Sequence, residues 1–540
     1  MSLRRQPLGP VPELTAKAAR GAFRKGNVYM AFADAFGASW DWDDFEEFFP
    51  AKGQPGEHPF RLALALLLQY AEGLSDRQAA EAIRSRIDWK YVLRLEIDDP
   101  GLDHTVLCEF RNRMGNRLQA LFDKLLRLAE ESGLLDTSKQ RTDSTHVLAA
   151  VRKLGRLELV HETMCAALDE LADVAPDWIQ EIAPGDWYER YGGSFNYKLK
   201  KTDDAREKRA QQIGKDGFLL LQEVNSAKDS GVLNELESVK ILRQVWNEQY
   251  VNGRGGPRFR GPKDERPEAS EMIASPHDTD ARLSKKRSEE WVGYKAHITE
   301  TCSEGKPRLI TNVITSHGCE NDSNVLPSIH KSLRQRGLSP IEHLVDYGYT
   351  DANEMWKAKK NGIQVIGPVK VGPSWQTKAE GRFDQSQFKL DWEHRQAVCP
   401  NGVASKKWKE LPETNSVMIS FPPAECAVCP LQLNCTDSMT SGRRLEVKQQ
   451  HLFEYLRDFR KYQQSDEFRE RYKLRSGIEG THSQAVRRCG LRRARYVGKE
   501  KTHTQHLLTA IALNVVRIGS WLLGVPLTRT RIRSFASLAA

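Results

Sequence analysis

The stretch His343-Leu344-Val345-Asp346-Tyr347-Gly348-Tyr349 reads as a short buried strand that stops on a carboxylate. An apolar run closed by an acid and a Tyr-Gly-Tyr turn puts Asp346 at the strand's C-terminal edge. Working outward, GYKAHITETC (293–302) and PRLITNVITSH (307–317) precede it as strands, and IQVIGPV (363–369) follows. Helical stretches around 323–336 and 351–361 lie between them, so strands alternate with helices as in an α/β layer. Further upstream, KQRTDSTHVLA (139–149) reads as a strand edge, with Asp143 at the end of that first strand.

At 540 residues the chain exceeds one ordinary core, so three or more units are expected. Residues 1–135 read as helical. PFRLALALLLQY (59–70) has a buried-helix pattern, and Ser75 caps a helix whose apolar positions Ala79, Ile83 and Ile87 recur every four residues. Asp103-His104-Thr105 opens another helix, which Gly115 ends. The basic residues Arg77, Arg84, Arg86, Arg111 and Arg113 suit a helix-turn-helix-like DNA reader or, equally, the solvated face of a plain bundle. Residues 151–272 read as helical and charged, with a linker-like VNGRGGPRFRGPKDERPEAS at 251–270. A long amphipathic helical region, 451–488, and a final one, 502–524, close the chain.

Charge is placed unevenly. From Arg487 onward eleven Lys/Arg stand against Glu500 alone, a net +10, while residues 1–486 sum to −1. A basic end on a neutral body is the footprint of a polyanion partner. The start MSLRRQPLGPVPELTAKAARGAF lacks the pattern of a signal peptide, and Leu507–Val525 is broken by Asn514 and Arg517. No membrane partner and a cytoplasmic location are therefore expected. Nine cysteines include one cluster, Cys399, Cys426, Cys429 and Cys435. Its C-x26-C-x2-C-x5-C spacing suits a structural Zn2+ site rather than disulfides; reduced thiols packed in a small insertion are the alternative.

Three acids stand out by context: Asp143, Asp346 and Glu479. Two-metal phosphoryl transfer needs carboxylates that converge on cations about 4 Å apart, held by rigid elements. Tyr472, Arg475, Glu479 and His482, spaced 3, 4 and 3 apart, are expected on one face of a late helix. Arginine beside a metal-binding Glu suits an arriving phosphate; a surface Arg–Glu pair is the plainer reading. Asp278, Asp280 and Asp322 are competing acids, with loop capping the expectation for Asp280.

Thr142-Asp143-Ser144-Thr145, Leu344-Val345-Asp346-Tyr347-Gly348-Tyr349 and Tyr472-x2-Arg475-x3-Glu479 resemble the three catalytic signatures of bacterial insertion-sequence DDE transposases. The last resembles that superfamily's Tyr-x2-Arg-x3-Glu-x6-Lys motif, with Val486 where Lys is expected and Arg487 and Arg488 next. Residues 476–517 are similar to the IS eleven-eighty-two branch, and the N-terminal helices to the InsH-type N-terminal domain. The resemblance implies an α/β fold with an RNase H-like catalytic core, a helical N-terminal domain and two insertions. The acids are 203 and then 133 residues apart, which places the insertions after the core's first and fifth strands. Expected units are 1–135, a DNA-binding domain; 136–150 with 273–374, the first part of the core; 151–272, a helical insertion; 375–450, the cysteine-containing insertion; and 451–540, core helices and basic tail.

The implied function is metal-dependent DNA cleavage and strand transfer at insertion-sequence ends. Alternatives are a nuclease on the same fold that cuts without joining, and a catalytically silent DNA-binding relative. Asp143, Asp346 and Glu479 are the implied ligands of Mg2+ or Mn2+. Tyr472, Arg475, His482, Arg487, Arg488, Arg492, Arg493 and Arg495 are the implied DNA contacts. Terminal inverted repeats and target DNA are the implied partners, bound by a homodimer in a bacterial, nucleoid-associated setting.

Overall fold

The computed structural model describes residues 8–526 except 38, 40–44, 46–55, 194–202, 254–255, 262–263, 266, 269, 287, 370–380 and 439. Arg529, Arg531 and Arg533 of the basic tail lie outside the described residues. The central sheet uses β1 (Lys139–Leu148), β2 (Arg282–Lys286), β3 (Glu289–Thr301), β4 (Ile310–His317), β5 (Glu342–Val345) and β6 (Gln364–Ile366). Its order is β2-β3-β1-β5-β6, and β4 pairs with β3 on the edge away from β1. β1, β3 and β4 run antiparallel to one another in turn, whereas β5 and β6 extend the sheet parallel to β1. The chain is thus mixed α/β, as expected. Gly293 lets β3 cross close to β1: at φ +151° its missing Cβ would lie 2.2 Å from the Val147 carbonyl oxygen.

One continuous apolar core joins this sheet to the helices of the first 131 residues and to the last helix, Lys499–Leu522. The two polar residues that interrupt the last helix are both used. Asn514 accepts from the Ile310 N–H and donates to the Ile310 carbonyl, each at 2.8 Å, clamping the helix to β4. Asp280 accepts the Lys499 N–H at 2.9 Å at the start of that helix, a long-range contact where local loop capping was expected. A second core, built on Trp187, Trp246 and Tyr250, lies within residues 154–273, and a third within 383–453. No helix among the described residues is long and apolar enough to cross a membrane.

Several elements differ from the sequence reading. The Asp76–Ser85 helix has its Ser75 capping box, but it ends before Ile87, which opens the next helix, Ile87–Leu93. The linker-like stretch holds a hairpin, Tyr250–Gly253 with Gly256–Phe259. The long helical region expected over 451–488 is three helices, Gln450–Gln463, Asp466–Lys473 and Ile478–Cys489, the last two joined by a 3-10 turn, Leu474–Gly477.

That break has a physical cause in the core beneath it. Glu300 of β3 is fully buried and receives Arg141 of β1, at 2.8 Å from Nε and 2.6 Å from Nη2. Arg517 of the last helix donates to the other oxygen at 2.8 Å, and Thr481 of the Ile478–Cys489 helix donates at 2.5 Å. Arg141 also donates to the Leu474 carbonyl, taking an oxygen that a continued α-helix would use. Only glycine fits at 477, where a Cβ would come 2.2 Å from Arg141 Nη1. The cluster thereby docks the late helix onto β1 and β3.

Two outcomes follow from this core. Glu300→Gln leaves two buried guanidinium groups without their shared counter-charge and should cost about 3–5 kcal/mol in chemical denaturation; a loss below about 1 kcal/mol would contradict the cluster's role. Burial also pulls His297 and His330 down from 6.5 to about 4 and His506 to about 3. The unfolded chain takes up these protons near pH 6.5 and the folded chain does not, so stability should fall as pH drops from 6.5 toward 4. Denaturant midpoints that stay flat across that window would contradict the buried, neutral histidines.

Candidate active site

The parallel register of β1 with β5 ends at Thr142 opposite Val345. The next residues along the two strands are Asp143 and Asp346, so the two acids stand side by side where the strands part. Asp143 lies midway along β1 rather than at its end, because β1 continues against β3 as far as Leu148. Its side chain is 15% exposed, against 47% for Asp346 and 68% for Glu479, so the three acids grade from largely buried to open to solvent. Glu479 lies in the first turn of the Ile478–Cys489 helix.

Arg475, on the 3-10 turn, reaches all three. Its Nη2 donates to Asp143 Oδ2 at 2.7 Å and lies 3.8 Å from Asp346 Oδ1, and its Nη1 donates to Glu479 Oε1 at 3.1 Å. Burial pushes the Asp143 carboxyl up to about 6, even though Arg475 and the Ser144 N–H favour its charged form. His482 Nε2 is 4.0 Å from Asp143 Oδ2, and burial pulls this imidazole down to about 4, so it is neutral at pH 7. Tyr472 stacks on Phe468 with ring centroids 5.5 Å apart, and burial pushes its phenol up to about 12. Tyr472, Arg475, Glu479 and His482 are spread over two helices and the 3-10 turn that joins them, and the i,i+4 pair of Arg475 with Glu479 is kept across that turn.

The sequence reading gave Asp322 only as a competitor and passed over Lys295 and Ser144. Ser144 links the two acids: its N–H donates to Asp143 Oδ1 at 2.8 Å and its hydroxyl to Asp322 Oδ2 at 3.0 Å. Lys295 Nζ balances Asp322 at 2.9 Å. The signal available was the serine directly after Asp143. Glu300 was equally overlooked, an acid inside an otherwise strand-like run with no local mark of its burial.

The basic residues divide. Arg487 and Arg493 are exposed. Arg488 donates to the Ala71 carbonyl and the Tyr29 hydroxyl, and Arg495 donates to the Leu74 carbonyl and covers the Tyr70 ring at 4.8 Å. Arg492 donates to the His146 carbonyl at 2.7 Å. These three tie the C-terminal segment to β1 and the N-terminal helices. Among the N-terminal arginines, Arg111 is buried against Asp76, and Arg86 pairs with Glu72 and Asp88.

Cys399, Cys426, Cys429 and Cys435 line one small cavity together with Phe421 and Arg443, all four as free thiols. Cys399 sits on a tight turn in which the Gly402 N–H donates to the Cys399 carbonyl at 2.9 Å, with Gly402 at φ +81°. Among the described residues no group of three or more His, Cys, Asp or Glu is arranged to hold a metal ion.

Two family models match the chain. Residues 398–519 match a transposase DDE domain, a span that holds Glu479, Arg475, His482 and the four clustered cysteines. Residues 22–113 match a transposase domain, DUF772. No curated protein and no solved structure matches the chain. The two matched segments suggest DNA transposition, and together they are consistent with an insertion-sequence DDE transposase.

Proposed function

We propose that the chain is a DNA transposase that cuts at the terminal inverted repeats of an insertion sequence and joins the freed ends to target DNA. The observation that carries this reading is the meeting of Asp143, Asp346 and Glu479 on one guanidinium where two parallel strands separate. An antiparallel trio extended by two parallel strands supports an RNase H-like core, built from 136–150, 273–374 and 451–540. Residues 151–272 and 375–450 are then insertions, and 1–135 a DNA-binding domain.

The donor set is all oxygen and already gathers around positive charge, which fits Mg2+ or Mn2+. Asp143, Asp346 and Glu479 would hold the ions, which supply activation of the attacking oxygen and neutralisation of the leaving one. Ser144, whose N–H donates to Oδ1, keeps the Asp143 carboxylate oriented. Arg475 and the exposed Arg487 and Arg493 hold backbone phosphates. Water attacks the phosphodiester at the element end and releases a 3′-hydroxyl; that hydroxyl then attacks a target phosphodiester in line and displaces its 3′ oxygen. Two ends cut in concert call for a homodimer on DNA.

Asp143→Asn, Asp346→Asn and Glu479→Gln should each abolish cleavage of element ends while DNA affinity stays within about threefold, because size is kept and only ligand charge is lost. Gel assays of nicking, strand transfer and binding check this; one variant cutting at the wild-type rate removes that acid from the triad. Cleavage without strand transfer by the wild-type protein would make the chain a nuclease instead.

The cysteine cavity, we infer further, takes a structural Zn2+ whose ligation draws the four sulfurs together and fixes the 383–453 core. Elemental analysis of protein purified without chelators should find about one zinc per chain, the number a four-thiolate site holds. The Cys426→Ser/Cys429→Ser double variant should contain none. Zinc-free wild-type protein would end this assignment.

A further inference from the structure

The three carboxylates of the proposed triad already share a cation, and it belongs to the chain. Arg475 Nη2 serves Asp143 at 2.7 Å and lies 3.8 Å from Asp346, while Nη1 serves Glu479 at 3.1 Å. Among the described residues the guanidinium has no other hydrogen-bond partner: Nε is buried without one, and the hydrogen bonds of both Nη atoms go to triad acids. The residue stands on a single 3-10 turn between two helices, at the end of a long flexible side chain.

Divalent ions bound by these acids and a guanidinium between the same acids cannot coexist, since like charges about 4 Å apart repel strongly in a partly buried site. Arg475 must therefore leave when metal enters. A DNA phosphate gives it somewhere to go, because phosphate oxygens match the guanidinium fork as well as a carboxylate does. DNA and metal then act on one residue in the same direction, and each helps the other to bind.

We propose that Arg475 is an internal counter-ion that the acids surrender to a DNA phosphate, so that the metal site opens only when DNA is present. This rests on the triad reading. The carboxylates stay paired in the free protein, and DNA arrival both frees them and positions Arg475 on the backbone next to the reacting bond. A transposase built this way has little exposed metal affinity away from its substrate.

The test is Mn2+ binding by the full chain, followed by electron paramagnetic resonance of free Mn2+. It is run with and without a short DNA duplex, subtracting what the duplex binds alone. Wild-type protein should bind Mn2+ about tenfold more tightly with DNA than without, within the usual range of coupling between linked sites. Arg475→Ala and the bulkier Arg475→Gln should both bind Mn2+ tightly without DNA and gain no more than about twofold from it. Unchanged or weaker DNA-free Mn2+ binding in both folded variants overturns the inference. Adding Asp143→Asn to Arg475→Ala separates the two levels. Mn2+ binding that depends on Asp143 but ignores Arg475 sinks only the counter-ion, whereas binding indifferent to Asp143 sinks the triad and the counter-ion with it.

Discussion

A carboxylate with no access to water, Glu300, sits where three distant parts of the chain meet. Leaving such a group unpaired would cost several kcal/mol, so Arg141 from the first strand and Arg517 from the last helix must both arrive. Their arrival fixes the order in which everything above them is stacked. Thr481 and the Leu474 carbonyl join the same cluster, and between them lie Arg475 and Glu479. The separation of Glu479 from Asp143, more than three hundred residues along the chain, is thus bridged by a few buried hydrogen bonds.

Above that floor the site is a graded well of negative charge. Asp143 is largely buried, and desolvation alone would favour its neutral form; Arg475 and the Ser144 N–H work against that. Asp322, held by Lys295, adds to the negative field through the hydroxyl of Ser144. Asp346 and Glu479 stand nearer to solvent, on the side from which a phosphate would come. A site of this kind attracts cations first and polyanions only through them, which is why the surrounding arginines matter. Of those, Arg487 and Arg493 face water, whereas Arg488, Arg492 and Arg495 are bound to carbonyls and rings of the chain itself.

Much of this was legible in the sequence. The apolar run before Asp346, the strand repeats at 293–317 and the capping residues Ser75 and Asp103 act locally, so local pattern finds them. What escaped is non-local. The place of Asp143 depends on where its neighbour β5 stops, which no pattern within 139–149 reveals. The helix break at 474–477 depends on Arg141 taking a carbonyl from another element, so a spacing of 3, 4 and 3 implied one face where two helices and a turn exist. The arginine count suggested a broad DNA surface, but Arg111, Arg488 and Arg495 had partners far away in sequence. The linker-like stretch instead holds paired strands, Tyr250–Gly253 and Gly256–Phe259, whose Tyr250 is core.

The central claim is that Glu300 and its arginines hold Asp143, Asp346 and Glu479 close enough to share bound cations. Anomalous scattering from crystals of the chain grown with a DNA duplex and Mn2+ tests it most directly. Manganese peaks are expected between those three carboxylates, with Arg475 moved from among them to a phosphate. Manganese bound elsewhere, or Glu479 turned away from Asp143 while the Glu300 cluster stays intact, would contradict it.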